Sequence, residues 1–299
     1  MGTIHPRNPL DASDQDADSW HRESEAEATV RVLRAASFEL IPLPHAFDRA
    51  TAVLPPGASV TVTVSPAKGL DPMLELCERL AGAGYLVTPH LAARSVRDRM
   101  HLADVLARLV ETRTARVFVV AGDAKEPGEY PDGLSLLRAI EGLGYRFKDV
   151  GIPAYPDGHP FIPKDTLWRA LLDKQPYATY ATTQLCYDAA TIAAWVREAR
   201  RSGLKLPLEI GLPGPVDFTR LLRVSSRIGI RDSARYLRKN RGLFGALLRR
   251  PAFRPDRLLS ALGTVFADPA AGVFALHVYS FGQVADAVGW QVRTLDHLG

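Results

Sequence analysis

Only two cysteines occur in the 299 residues, Cys77 and Cys186. They lie far apart and form neither a disulfide framework nor a metal-binding spacing. They read as small core residues in the reducing cytoplasm. No apolar run reaches the ~18 residues of a membrane-spanning helix. The start, Met1-Gly2-Thr3-Ile4-His5-Pro6, has no apolar stretch of the secretory kind. No Gly-x-Gly-x-x-Gly follows the first strand-like segment, which weakens a Rossmann reading. There is no P-loop, no Gly-x-Ser-x-Gly and no Cys–His nucleophile pattern. The histidines lack the close helical spacing of zinc motifs, so no metal site is expected. Internal repeats and Gly/Ser linkers are also missing, which favours a single domain.

What is present is an ordinary globular composition, 46% hydrophobic and 23% charged. Residues 1–23 are polar and acidic (Asp11, Asp14, Asp16, Asp18) and read as a flexible extension, with a surface strap as the alternative. From Ser24 onward strand-like and helix-like segments alternate. Strands are expected at 37–42, 59–65, 85–89, 116–121, 148–154, 179–185, 207–212 and 273–279. Helices are expected at 24–35, 71–83, 95–112, 132–143, 163–174, 188–202 and 216–228, with a weak one near 46–54. Eight strands alternating with helices predict an α/β chain, a (β/α)8 TIM barrel over 24–299. An open doubly wound sheet is the competitor, and such sheets more often have fewer strands.

In parallel α/β folds ligands bind at the carboxyl ends of the strands, so the residues there are the candidates. The run Arg116-Val117-Phe118-Val119-Val120-Ala121 stops at Gly122-Asp123. Gly122 permits a sharp turn, and Asp123 stands just past the strand end; the plainer role for Asp123 is to cap that turn. Glu39 sits inside the apolar run Ser37-Phe38-Glu39-Leu40-Ile41. A buried carboxyl without a partner tends to hold its proton and can act as a general acid; the alternative is a structural pair with Arg or Lys. His90 closes the third strand, and Tyr155 and His159 lie in the turn after the fifth. Gln184 follows the sixth strand and offers a donor and an acceptor to a heterocycle edge, or caps backbone. His277 and Tyr279 end the eighth.

Residues 231–257 carry nine cations and two acids, a net +7 in a chain of net +4. Such a patch attracts polyanions. Aromatics within it are few and no nucleic-acid module is visible, so no nucleic-acid partner is expected. A solvated helical face is the plainer account.

Taken in order, Ser37-Phe38-Glu39, Pro89-His90-Leu91, Gly122-Asp123, Ala154-Tyr155-Pro156 with His159-Pro160, Thr183-Gln184 with Tyr187-Asp188, Gly211-Leu212-Pro213, and His277 with Tyr279 form a set that resembles the methylenetetrahydrofolate reductase family. The resemblance implies a barrel enzyme of one-carbon metabolism and methionine biosynthesis. It would reduce 5,10-methylenetetrahydrofolate to 5-methyltetrahydrofolate with NADH or NADPH. By that analogy Glu39 and Asp123 are catalytic and Gln184, Tyr279 and His277 bind substrate. His90, Gly122, Tyr130, Tyr155 and His159 match cofactor positions. The basic segment 231–257 would meet a polyglutamylated folate tail.

The chain also departs from that family. Its members carry cations before Gly-Asp and eleven residues before the Gln, where this chain has Ala121 and Asp173. Each missing charge-assisted hydrogen bond is worth roughly 1.5–3 kcal/mol, so FAD is expected to bind weakly or not at all. Two other readings stand beside this one: a conventional FAD-dependent reductase, and a pterin- or folate-binding barrel without redox chemistry.

Overall fold

The computed structural model describes residues 23–64, 68–124, 126–217 and 252–299. Eight parallel strands close into a barrel: β1 (Ser37–Leu40), β2 (Ser59–Val62), β3 (Leu86–Ala92), β4 (Arg116–Val120), β5 (Asp149–Ala154), β6 (Tyr180–Thr183), β7 (Leu208–Pro213) and β8 (Val273–Tyr279). Each strand pairs with its neighbour in the chain, and β8 closes on β1 with Ser37 opposite His277. This is the expected (β/α)8 architecture, and every expected strand is present.

The helices α1 (Glu25–Arg34), α2 (Ala46–Thr51), α3 (Asp71–Gly82), α4 (Arg99–Glu111), α5 (Gly133–Gly142), α6 (Lys164–Lys174) and α7 (Ala189–Arg201) fall within the expected segments. Their starts are written locally. Ser24 and Glu27 form a reciprocal capping box before α1, and Asp98, Asp132 and Asp188 cap α4, α5 and α7. After residue 252 come α8 (Asp256–Ala261), α9 (Gly263–Ala267) and α10 (Val284–Leu298), none of which was expected. The buried Trp290 of α10 ties it to α8 by donating from its indole N–H to Asp256 at 3.3 Å. The helix expected at 216–228 is corrected at its start. Val216–Asp217 instead pairs antiparallel with Ala252–Phe253, and 218–228 lies outside the described residues. The acidic extension, apart from Glu23, and most of the basic segment lie outside them as well.

Alternation along the strands sorts the side chains. Val60, Val62, Val117, Val119, Ile152, Leu208, Ile210 and Leu212 join one hydrophobic cluster with Leu74, Leu106 and Val196 of the surrounding helices. Burial of this layer drives the fold. The other strand face turns into the barrel, and register shows which residues share it. Glu39 is opposite Thr61, and Thr61 opposite Thr88; Thr182 is opposite Glu209, and His277 opposite Ser37 and Gly211. His90, Phe118, Gly151 and Tyr180 continue the ring. The barrel interior is therefore polar and aromatic, an unusual filling for a core. Two glycines make room for it. A Cβ on Gly151 would lie 2.4 Å from the Tyr180 ring, and one on Gly211 would lie 2.1 Å from the Thr183 carbonyl oxygen and 2.8 Å from the Tyr279 ring.

Candidate functional site

The polar filling converges on His277, 3% exposed and held between two carboxyl groups. Its Nε2 is 3.8 Å from Glu39 Oε2, and its Nδ1 is 3.7 Å from Glu209 Oε2. Ser37 donates to Glu209 Oε1 at 2.9 Å and lies 3.3 Å from Nδ1 of the histidine; Thr182 donates to the other Glu209 oxygen at 2.6 Å. Five residues from β1, β6, β7 and β8 thus form one continuous network. Burial alone would lower the His277 pKa, but the hydrogen bond with Glu39 and the charges of Glu209 and Glu39 outweigh it, and the net direction is upward. The sequence expectation pictured Glu39 as a carboxyl with no partner, or one paired with Arg or Lys. Its partner is a histidine from the last strand, a contact made only by barrel closure.

Tyr279 stands next to His277 with ring centroids 4.6 Å apart, and its hydroxyl donates to the Thr183 carbonyl at 3.3 Å. Burial, then the Glu39 and Glu209 charges, pushes its pKa well up, so it stays a neutral phenol. His90 faces His277 across the barrel, 6.5 Å ring to ring. Its Nε2 is buried without a hydrogen-bond partner. Burial pushes its pKa down to about 4, with the Glu39 charge opposing and the His277 charge assisting, so it is neutral near pH 7.

Above this floor, His90, Gly122 and Asp123 border a cavity of about 90 Å³ together with Thr63 and Ser95. Gly122 adopts φ +82°, and a Cβ there would meet Ala92 Cβ at 2.9 Å, so the sharp turn does require glycine. Asp123 is exposed at the mouth. Its charge reaches Tyr155, whose pKa burial and Asp123 raise to about 12, and His159, where burial lowers the pKa and Asp123 opposes. The Tyr155 and His159 rings meet edge-on at 5.6 Å.

The other expected residues divide. Gln184 stands at the strand end, but its Oε1 accepts from the Leu185 backbone N–H at 2.8 Å, so that end of the amide is a cap. Tyr130 packs into the hydrophobic cluster between strands and helices and does not join the mouth group. On the other side of the mouth, Leu185, Tyr187, Val216 and Phe281 form a small apolar cluster with Phe253 and Tyr279. Glu209, Ser37 and Thr182 were missed by the sequence reading. The signal for Glu209 was available: it is an acid inside Leu208-Glu209-Ile210, as Glu39 is inside its own apolar run. Among the described residues no group of three or more His, Cys, Asp or Glu side chains is arranged to hold a metal ion, and no helix is long and apolar enough to cross a membrane.

No family model matches the chain. Among solved structures it resembles a Yersinia pestis dihydropteroate synthase with a pterine-sulfa conjugate (TM-score 0.45, 14% identity, covering 90% of this chain and 95% of that one). It also resembles an oxaloacetate acetylhydrolase with 3,3-difluorooxalacetate (0.49, 11%, 93% and 86%). A third is a putative lyase/mutase from Burkholderia cenocepacia (0.46, 15%, 93% and 87%). At these identities the likeness is one of barrel architecture. The resemblance to methylenetetrahydrofolate reductases is corrected by these findings: no family model carries it, and the solved structures named share the barrel architecture alone. The assignment as an NAD(P)H-dependent oxidoreductase falls with it. Motifs of two or three residues, even in order, mark strand ends that many barrels share.

Proposed function

We propose that this barrel binds a flat, nitrogen-rich heterocycle of the pterin or folate class at its mouth and acts on it by proton transfer, without redox chemistry. The observation that carries the reading is the Glu39–His277 pair, 3.8 Å apart under the mouth. A carboxyl and an imidazole biased toward its protonated form can give and take a proton at a ligand nitrogen. Asp123 supplies an acceptor for the N–H groups of an aminopyrimidinone edge, the pattern an acidic side chain matches best. Tyr155, Tyr279 and the apolar cluster around Phe281 supply flat walls. The fold likeness alone assigns no ligand, so the proposal rests on these side chains.

The test is calorimetric titration of the full chain with tetrahydrofolate and with pterin-6-carboxylate. Binding in the micromolar range is expected, weakened about 10- to 100-fold in Asp123→Asn through loss of a charge-assisted contact. Failure of both compounds to bind at millimolar concentration rejects the proposal.

A further inference from the structure

We propose that Glu209 is the positioning residue for His277, working through the Ser37 hydroxyl to hold the imidazole in one tautomer with its Nε2 edge toward Glu39. This rests on the reading of Glu39 and His277 as the ligand-facing pair.

The number of hydrogens available fixes the tautomer. A serine hydroxyl carries one, and Ser37 donates it to Glu209 Oε1 at 2.9 Å. The Ser37 oxygen is then an acceptor, and the ring nitrogen beside it, at 3.3 Å, is His277 Nδ1. Nδ1 therefore carries a hydrogen in the neutral as well as the cationic ring. That leaves Nε2, on the Glu39 side, as the position where a proton comes and goes. Thr182 occupies the second Glu209 oxygen at 2.6 Å, so the carboxyl group is clamped from both ends and cannot swing away. At 4% exposure, such a carboxyl is costly to bury, and a role in ordering its neighbour accounts for its presence in a barrel wall otherwise built of Leu208, Ile210 and Leu212.

Glu209 sits on the floor side of His277 and touches neither Asp123 nor the cavity beside His90. The groups that face His277 are Glu39 from β1, Glu209 from β7, Tyr279 on its own strand and His90 from β3 across the barrel. Of these, Tyr279 and His90 are neutral near pH 7. The carboxyl groups thus dominate its charge state, and removing either charge lowers it.

Nitrogen-15 NMR of the ligand-free full chain decides the matter. In wild type, neutral His277 should show the Nδ1–H pattern, the less common tautomer of a free imidazole. In Glu209→Gln, with the fold checked by circular dichroism, the His277 titration midpoint should fall by about one to three pH units through loss of a nearby opposite charge. In Ser37→Ala the two ring nitrogens should move toward equal shifts as both tautomers become populated. An Nε2–H pattern in wild type overturns the inference without any variant being made. So does an unmoved midpoint in folded Glu209→Gln. Because no ligand is present, these outcomes are independent of whether a pterin binds. Failure of pterin binding alongside an Nδ1–H pattern would reject the proposed ligand and leave the positioning role intact.

Discussion

His90 and His277 face each other with ring centroids 6.5 Å apart and planes only 23° from parallel, yet their proton affinities are driven in opposite directions. His277 has two carboxyl neighbours that overcome its burial; His90 has a buried Nε2 without a partner. One imidazole is thereby biased toward the cation and the other kept neutral, and the charge on the first reinforces the neutrality of the second. Environment, rather than residue type, separates the two roles.

A pH dependence follows. The folded-state pKa of His90 lies near 4, below its ordinary 6.5. Between those values the unfolded chain binds more protons, so the His90 contribution is present above pH 6.5 and lost as pH falls toward 4. His277 is raised, so its contribution is present below 6.5 and lost as pH climbs through its folded value. Replacing His90 with Asn should flatten the acid limb of the stability curve by about 2–3 kcal/mol. Urea melts at pH 4.5, 5.5 and 7 (about the window the two pKa values span) measure it; an acid limb unchanged in the variant would contradict the assignment.

Gly211 offers a test of how the barrel interior is packed. Its Cβ position is blocked by the Thr183 carbonyl and the Tyr279 ring. Gly211→Ala should cost about 2–3 kcal/mol, in the range of overpacked cores, and should disturb the Tyr279 ring that lies beside His277. Thermal denaturation gives the first quantity and tyrosine fluorescence the second. A melting temperature equal to wild type would show that the strand has slack the structure does not display.

Lys174 is 8% exposed at the end of α6, and its aliphatic stem lies near Gly133 at the start of α5. Burial lowers its pKa to about 8, and the Asp132 charge only partly opposes this. The ammonium form is therefore penalised in full below pH 8, and the penalty is relieved as pH rises. Lys174→Met, which keeps the stem and drops the charge, should stabilise the protein by about 1 kcal/mol at pH 7. A loss of stability in this variant would show that the ammonium group has a role in holding α5 and α6 together.

Much of the architecture is written in short-range patterns. The apolar runs of β4 and β7, the extents of α1, α4, α5 and α7, and the Gly122 turn each depend on a few neighbouring residues, and each was legible from the chain; the Ser and Asp caps that start those helices emerged with the structure. Strand count then implied a barrel, because alternating β and α segments bury their apolar faces in few ways. The C-terminal helix α10 was missed, although its buried face is apolar, because nothing local links Trp290 to Asp256.

The site was legible only in part. Glu39, His90, Asp123 and His277 could be singled out because polar groups inside apolar runs or at strand ends are costly without a purpose. Their pairing could not be read. Glu39 and His277 stand at opposite ends of the chain and meet because the last strand closes on the first; Glu209 reaches His277 through the pairing of β7 with β8, and Ser37 across the closure. The choice of family went wrong for a related reason, since strand-end motifs are local and the identity of a site is not. Local sequence determined where the chain is extended, helical or turned. Only the closed barrel decided which carboxyl faces which imidazole, because distances between residues far apart in the chain are set by register and closure, and electrostatics depends on those distances.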